Sequence, residues 1–197
     1  YLYPDTAYSY ESGGDPKNIP DLTYEEFLDF HSKYYHPSNS YIYLYGNMDA
    51  VEKLEWLDAH YLSQYDLDDF DTHIITQDAF EKPAEICKKY PITSSESTEG
   101  KTYLSCSWSV SNSLDREKYL AFEVLDYALL NSQGAPVKEA LLSAGIGKDI
   151  QGGFDNGVYQ PIFSVIAKNA ESAQQEQFLS VIRETLEKQV EDGINQE

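Results

Sequence analysis

Thr102-Tyr103-Leu104-Ser105-Cys106-Ser107-Trp108-Ser109-Val110 alternates polar and apolar side chains through most of its length. In a strand successive side chains point to opposite faces, so Leu104, Cys106, Trp108 and Val110 share one face and the three serines line the other. The pattern predicts a β-strand with one buried side. Just upstream, Ala84, Ile86, Tyr90 and Ile92 hold the even positions of a second strand-like stretch, which the polar turn Thr93 to Lys101 joins to the first as a hairpin. Downstream, Asp115 can cap a long helix running to Leu130. Its apolar stripe, Leu120, Val124, Leu125, Ala128 and Leu129, is wide and predicts a well-buried helix. Pro136 fits the first turn of a shorter helix, and Gly145 fits the left-handed position just past its end. Ile146 to Gly152 and Val158 to Lys168 read as a second hairpin around Asp155-Asn156-Gly157. Phe178, Val181, Ile182, Leu186 and Val190 mark a last amphipathic helix, stopped by Gly193.

Toward the amino end the signals are sparser. Gly13-Gly14, Asp15-Pro16 and Ile19-Pro20 punctuate connecting chain. Thr23 to Glu26 is a capping box with Leu22 and Phe27 at the staple positions, so a helix starts there and runs until His36-Pro37. Tyr41 to Tyr45 reads as a strand ending at Gly46-Asn47. Asp49 caps another helix, apolar at Val51, Leu54, Leu57 and Tyr61, and residues 62 to 82 form an acidic, irregular excursion. Strand pairs joined as hairpins and interspersed with helices define an α+β fold: a mostly antiparallel sheet with helices packed on one face. On this reading residues 1–39 are a lead-in from an earlier domain, 40–192 form the sheet domain, and 193–197 begin a linker.

The composition is that of a folded chain. Hydrophobic residues make up 41% and there are 17 Tyr, which is incompatible with disorder even though 14 basic residues against 34 acidic ones give a net charge of −20. Such a field repels phosphate backbones and anionic headgroups, and no basic cluster offsets it, so nucleic acid and membrane are excluded as partners. Solubility is one use of the charge; attraction of cationic peptides is another. No run reaches the roughly 18 to 20 apolar residues of a bilayer span, and the chain opens at Tyr1 in what reads as mid-protein sequence. Pairing the apolar faces of the first hairpin puts Cys87 opposite to Cys106, which predicts two free thiols and suits a reducing compartment.

Side chains that carry chemistry are few. Neither the ordinary nor the inverted zincin motif surrounds His31, His36, His60 or His73, and the five-residue step from His31 to His36 sits poorly on one helical face. Gly145-Ile146-Gly147-Lys148 precedes a strand instead of opening a helix after one, and so reads as a turn, not a phosphate loop. Ser105, Ser107 and Ser109 lack a nucleophile elbow, and the acidic pairs Glu25-Glu26 and Asp68-Asp69 are too close in sequence to converge as an acid and a base. No residue is assigned a catalytic or metal role, and the sequence does not single out substrate-binding residues.

Several stretches nevertheless carry a dense resemblance: Pro4-Asp5-Thr6-Ala7-Tyr8, Ser12-Gly13-Gly14-Asp15-Pro16, Ile19 to Phe27, and His31 to Asn39. Leu129 to Gly145, Gly152-Gly153 and Gln160-Pro161-Ile162-Phe163-Ser164 extend it. Together they are similar to the presequence-protease branch of the pitrilysin and insulinase superfamily of zinc metallopeptidases, over nearly the whole chain and most weakly at 62 to 100. The resemblance implies the second, non-catalytic domain of that superfamily, within a protein of two halves that enclose a chamber where unstructured peptides are cut. Zinc, the inverted His-x-x-Glu-His motif and its downstream glutamate would come from the preceding catalytic domain, and assisting arginine and tyrosine groups from the opposite half. This chain would then be inactive alone, bind no zinc, pack against those parts and wall the chamber for unstructured peptides, basic ones included. A structural or peptide-binding homologue without peptidase activity is the alternative. Bacterial cytoplasm is the expected location, with a mitochondrial or plastid matrix fitting the same residues.

Overall fold

The computed structural model describes residues 1–194; of the expected linker start at 193–197, residues 195–197 lie outside the described residues. The chain divides into two compact units, one formed by Tyr1–Ser9 together with the chain from Thr76 onward, the other by Tyr10–Ile75. Residues 40–75, read in the sequence with the sheet domain, therefore group with 10–39.

The first unit holds a three-stranded antiparallel sheet built from β1 (Thr102–Ser109), β2 (Asp149–Asp155) and β3 (Ile162–Ala170), in the order β1-β3-β2. The helices are α3 (Arg116–Asp126), continued by a π turn (Tyr127–Asn131), α4 (Pro136–Ser143) and α5 (Gln175–Asp192). This is the expected α+β class. Register places Cys106 opposite Val165, Leu104 opposite Ala167, and Ile150 opposite Ala167 from the other side. One face of the sheet thus presents Leu104, Val165, Ala167, Phe163 and Ile150, and onto it Leu129, Leu130, Val137, Leu141, Phe178 and Ile182 close from the helices. Leu141 and Ala167 are completely buried. Each fully buried aliphatic or aromatic side chain contributes roughly 1.5–3 kcal/mol, so this layer carries the unit.

Caps fall where the sequence put them. Asp115 accepts from the Lys118 backbone N–H. At the end of α4, Gly145 takes φ +71°, its N–H bonds Leu142 O at 3.0 Å and the Ile146 N–H bonds Leu141 O at 3.0 Å. That is a Schellman ending, and Ile146 drops into the core beside it. Gly193 stops α5 with φ +79°.

Four expectations are corrected. Ala84 to Ile92 forms no strand: β3 takes the inner edge of β1, and Pro91 has no N–H to give a ladder. The segment instead meets the start of β1 through side chains, with Tyr90 donating to Lys101 O and its ring edge-on to Tyr103. Tyr41 to Tyr45 pairs with nothing among the described residues. The second hairpin exists with shifted strands, because left-handed Gly145 and Gly147 delay β2 and the loop over 156–161 is longer than the turn signal. Finally α3 is not well buried: Phe122 and Leu125 face the core while Leu120 and Val124 are each 63% exposed. Its stripe is wider than the surface available to cover it.

The second unit contains α1 (Tyr24–Tyr34) and α2 (Ala50–His60). The capping box of α1 is complete, with Glu26 N–H donating to Thr23 Oγ1 at 3.2 Å and Thr23 N–H donating to Glu26 Oε2 at 2.8 Å. Asp49 accepts from Val51 and Glu52 at the start of α2.

Candidate functional site

Three of the four imidazoles are engaged locally. His31 stacks on Tyr35, and His60 stacks on Trp56 while its Nδ1 lies 2.9 Å from Trp56 O. His36 Nδ1 accepts from the Ser38 N–H at 3.2 Å and so caps the short turn that Pro37 opens. His73 faces only Asp71, at 3.5 Å, with both side chains almost fully in solvent. No group of three His, Cys, Asp or Glu side chains gathers among the described residues. A hydrolytic zinc needs three such ligands converging within about 2–2.3 Å of one point, so the residues present do not fit the metal.

The remaining candidates are equally dispersed. Ser105, Ser107 and Ser109 lie on the sheet face away from the helices, and the Ser109 hydroxyl lies 3.3 Å from Tyr3 Oη, to which it donates. Gly147 takes φ +70° in the bend into β2, where a Cβ would lie 2.7 Å from Lys168 O, and the Lys148 N–H bonds that same carbonyl at 2.8 Å. Both features serve the turn. Cys87 is exposed and Cys106 half-buried, and both are free. Burial pushes the Cys106 thiol above the usual cysteine value.

What the structure does assemble is a buried polar clasp. Gln77 donates its backbone N–H to Gln160 Oε1 at 2.6 Å, and Gln160 Nε2 donates to Gln77 O at 3.1 Å. Gln77 also pairs reciprocally with Asp5: Nε2 donates to Asp5 Oδ2 at 2.7 Å, and the Asp5 N–H donates to Gln77 Oε1 at 2.9 Å. Tyr3 Oη donates to Gln160 O, and burial raises its phenol above the usual tyrosine value. Tyr3, Thr6, Gln77 and Gln160 are all buried. Two glutamines 83 residues apart leave no periodic or spacing signal, so sequence reasoning missed them.

Open surfaces complete the inventory. A depression of about 500 Å³ is lined by Tyr90, Ile92, Glu96, Lys101, Tyr103 and Asn169. Another of about 370 Å³ is lined by Tyr34, Tyr35, His36, Asn39, Ser40 and Tyr61. Both are tyrosine-lined and open, suited to contact with polypeptide rather than to enclosing a small molecule. No helix among the described residues is long and apolar enough to cross a membrane.

Residues 21–197 match the family described as Peptidase M16 inactive domain. The chain is 48% identical over 196 residues to Protein HypA of Clostridium perfringens, covering 100% of this chain and 20% of that protein. It is 34% identical over 198 residues to the chloroplastic/mitochondrial Presequence protease 1 of Arabidopsis thaliana, 98% of this chain and 18% of that one. Against the mitochondrial presequence protease of Xenopus laevis the identity is 30% over 199 residues, 100% of this chain and 19% of the relative. The chain thus spans about a fifth of the length of these relatives.

Proposed function

We propose, from the premise that this chain belongs to the peptidase M16 family and matches its inactive domain, that it is the non-catalytic wall of a zinc-dependent metalloendopeptidase that degrades unstructured peptides. The observation that carries this reading is the match of residues 21–197 to the inactive-domain family, and the local contacts of His31, His36 and His60 accord with it. Zinc and the activated water belong, on this reading, to a domain outside these residues. The similarity to presequence proteases supports peptides as substrates, and the tyrosine-lined open surfaces support contact with polypeptide. We place the lead-in from the catalytic domain at residues 1–39 and the second homologous domain at 40–192; the family match over residues 21–197 supports a domain that includes the stretch before Thr76. Similarity to a clostridial protein favours bacterial cytoplasm over an organelle matrix.

The test uses the longer protein and this chain in parallel. The longer protein should cleave unstructured peptides and lose that activity to a chelator, while the purified 197-residue chain cleaves nothing and retains no stoichiometric zinc by metal analysis. In the longer protein, His31→Ala, His60→Ala and His73→Ala should each keep the full zinc content. Chelator-sensitive cleavage by the short chain, or zinc lost from any of these variants, would overturn the reading.

A further inference from the structure

No residue between Tyr10 and Ile75 is buried, although this unit contains two well-capped helices. Helices of 11 residues do not persist on propensity alone; they need a packed face. Here the faces are laid out and uncovered. Phe27 and Phe30 of α1 are 60% and 59% exposed, and Val51 and Leu54 of α2 are 64% and 57% exposed, at the three- and four-residue steps of a helix meant to bury one side.

Between the helices lies Tyr41-Ile42-Tyr43-Leu44-Tyr45. Its tyrosines are 104%, 84% and 85% exposed, while Ile42 and Leu44 are about half as open, at 49% and 43%. The backbone of these five residues makes no hydrogen bond among the described residues. Aromatic and branched residues in this density favour a pleated, half-buried setting. From Tyr34 to Met48 there is also no Asp, Glu, Lys or Arg, although charged residues make up 24% of the chain. Strands that face water as sheet edges are blunted by charge or proline. This one carries neither between Tyr41 and Tyr45.

We propose that Tyr41–Tyr45 is an unpaired β-strand that adds to the edge of a sheet in the part of the longer protein lying outside these 197 residues, with the apolar sides of α1 and α2 closing over that sheet. The inference rests on the proposed function, in which the chain is one part of a larger peptidase. The occupant is the same polypeptide because the relatives are about five times longer than the matched stretch, and because the segment is delivered in place. Asp5 and Gln77, which flank it, are bonded to each other in the clasp, so the segment leaves and returns at one anchored point. Docking within one polypeptide then proceeds at high effective concentration.

Hydrogen exchange on the longer protein tests this directly. At least alternate amides of residues 41–45 should exchange about 100-fold or more slower than in an unstructured peptide, at any protein concentration. An added edge strand pairs only alternate amides, so one of Tyr43→Pro and Leu44→Pro must remove a ladder N–H; at least one of the two should abolish protection of the remaining paired amides, while Tyr43→Thr and Leu44→Thr keep it. Unstructured-peptide rates in the parent protein, protection that appears only as a dimer forms on concentration, protection that appears only when a peptide substrate is added, or protection unaltered by both prolines would each overturn the proposal. The readout is independent of catalysis. A longer protein that protects these amides yet cleaves no peptide sinks the peptidase reading alone, and an active one with unprotected amides sinks this proposal alone.

Discussion

Asp126 sits where α3 widens into the π turn and touches a glycine pair. Its Oδ1 accepts from Asn131 Nδ2 at 2.7 Å, the Phe154 N–H donates to it, and a Cβ on Gly153 would come within 3.1 Å of that same oxygen. Gly153, at φ +154°, lets the carboxylate reach the strand. Burial, and then the nearby charge of Glu123, raise the carboxyl above the ordinary Asp value against those two hydrogen bonds. A folded-state value above the unfolded one means that the native state holds its proton to higher pH. The contribution to stability is therefore full below the unfolded value, about 4, and is lost as pH rises through the folded one. Asp126→Asn keeps an oxygen for Phe154 and has no such loss. In thermal melts the midpoint difference between this variant and the parent should move in the variant's favour from about pH 3.5 to about pH 7, and a difference flat across that range would refute the assignment.

Among the elements, the clasp is the least expected. It ties Tyr1–Ser9 to the strand-flanking Gln160 through the buried Gln77 and Gln160 and the exposed Asp5, and no buried side-chain N or O among the described residues lacks a partner. Gln160→Leu keeps the bulk but leaves the Gln77 N–H and C=O without partners in a buried place, which costs roughly 1–3 kcal/mol for each group left unsatisfied. A urea titration should show the midpoint fall accordingly with the slope unchanged; an unaltered midpoint would mean that water replaces the glutamine without loss. Elements like α1, α4 and β1 were legible because their signals are local: a capping box, a proline with a trailing glycine, an alternation. Pairing was not. β1 bonds β3 from about 60 residues away, Cys106 to Val165, whereas the sequence pattern favoured the nearer Ala84 to Ile92. Period two fixes which side chains share a face and says nothing about which strand lies alongside. For the same reason the apolar stripe of α3 could be counted while the part left open, Leu120 and Val124, could not. Of the candidate site, the clasp was not legible, because hydrogen bonds between distant glutamines follow from tertiary approach alone.

For the molecule as a whole, the dominant quantity is the charge of −20. It already counts every basic residue, so ion pairs within the chain, such as Lys53 with Glu52 or Lys118 with Asp115, cannot reduce it. A net charge of this size sets up a negative surface potential, which on the proposed function would raise the local concentration of cationic chains. The acidic stretch Asp66, Asp68, Asp69 and Asp71 is exposed and lies outside every helix and strand, which makes it a place to lower the field without disturbing the core. Replacing all four with Asn in the longer protein should reduce kcat/KM for a basic unstructured peptide by about two- to tenfold at low salt, leave a neutral peptide of equal length unchanged, and abolish the difference as ionic strength approaches about 1 M. Steered association weakens with screening, whereas removing a short-range hydrogen bond to the substrate leaves a deficit that salt does not erase. Equal effects on both peptides, or a deficit that survives high salt, would show that the acidic surface does not act through its long-range field.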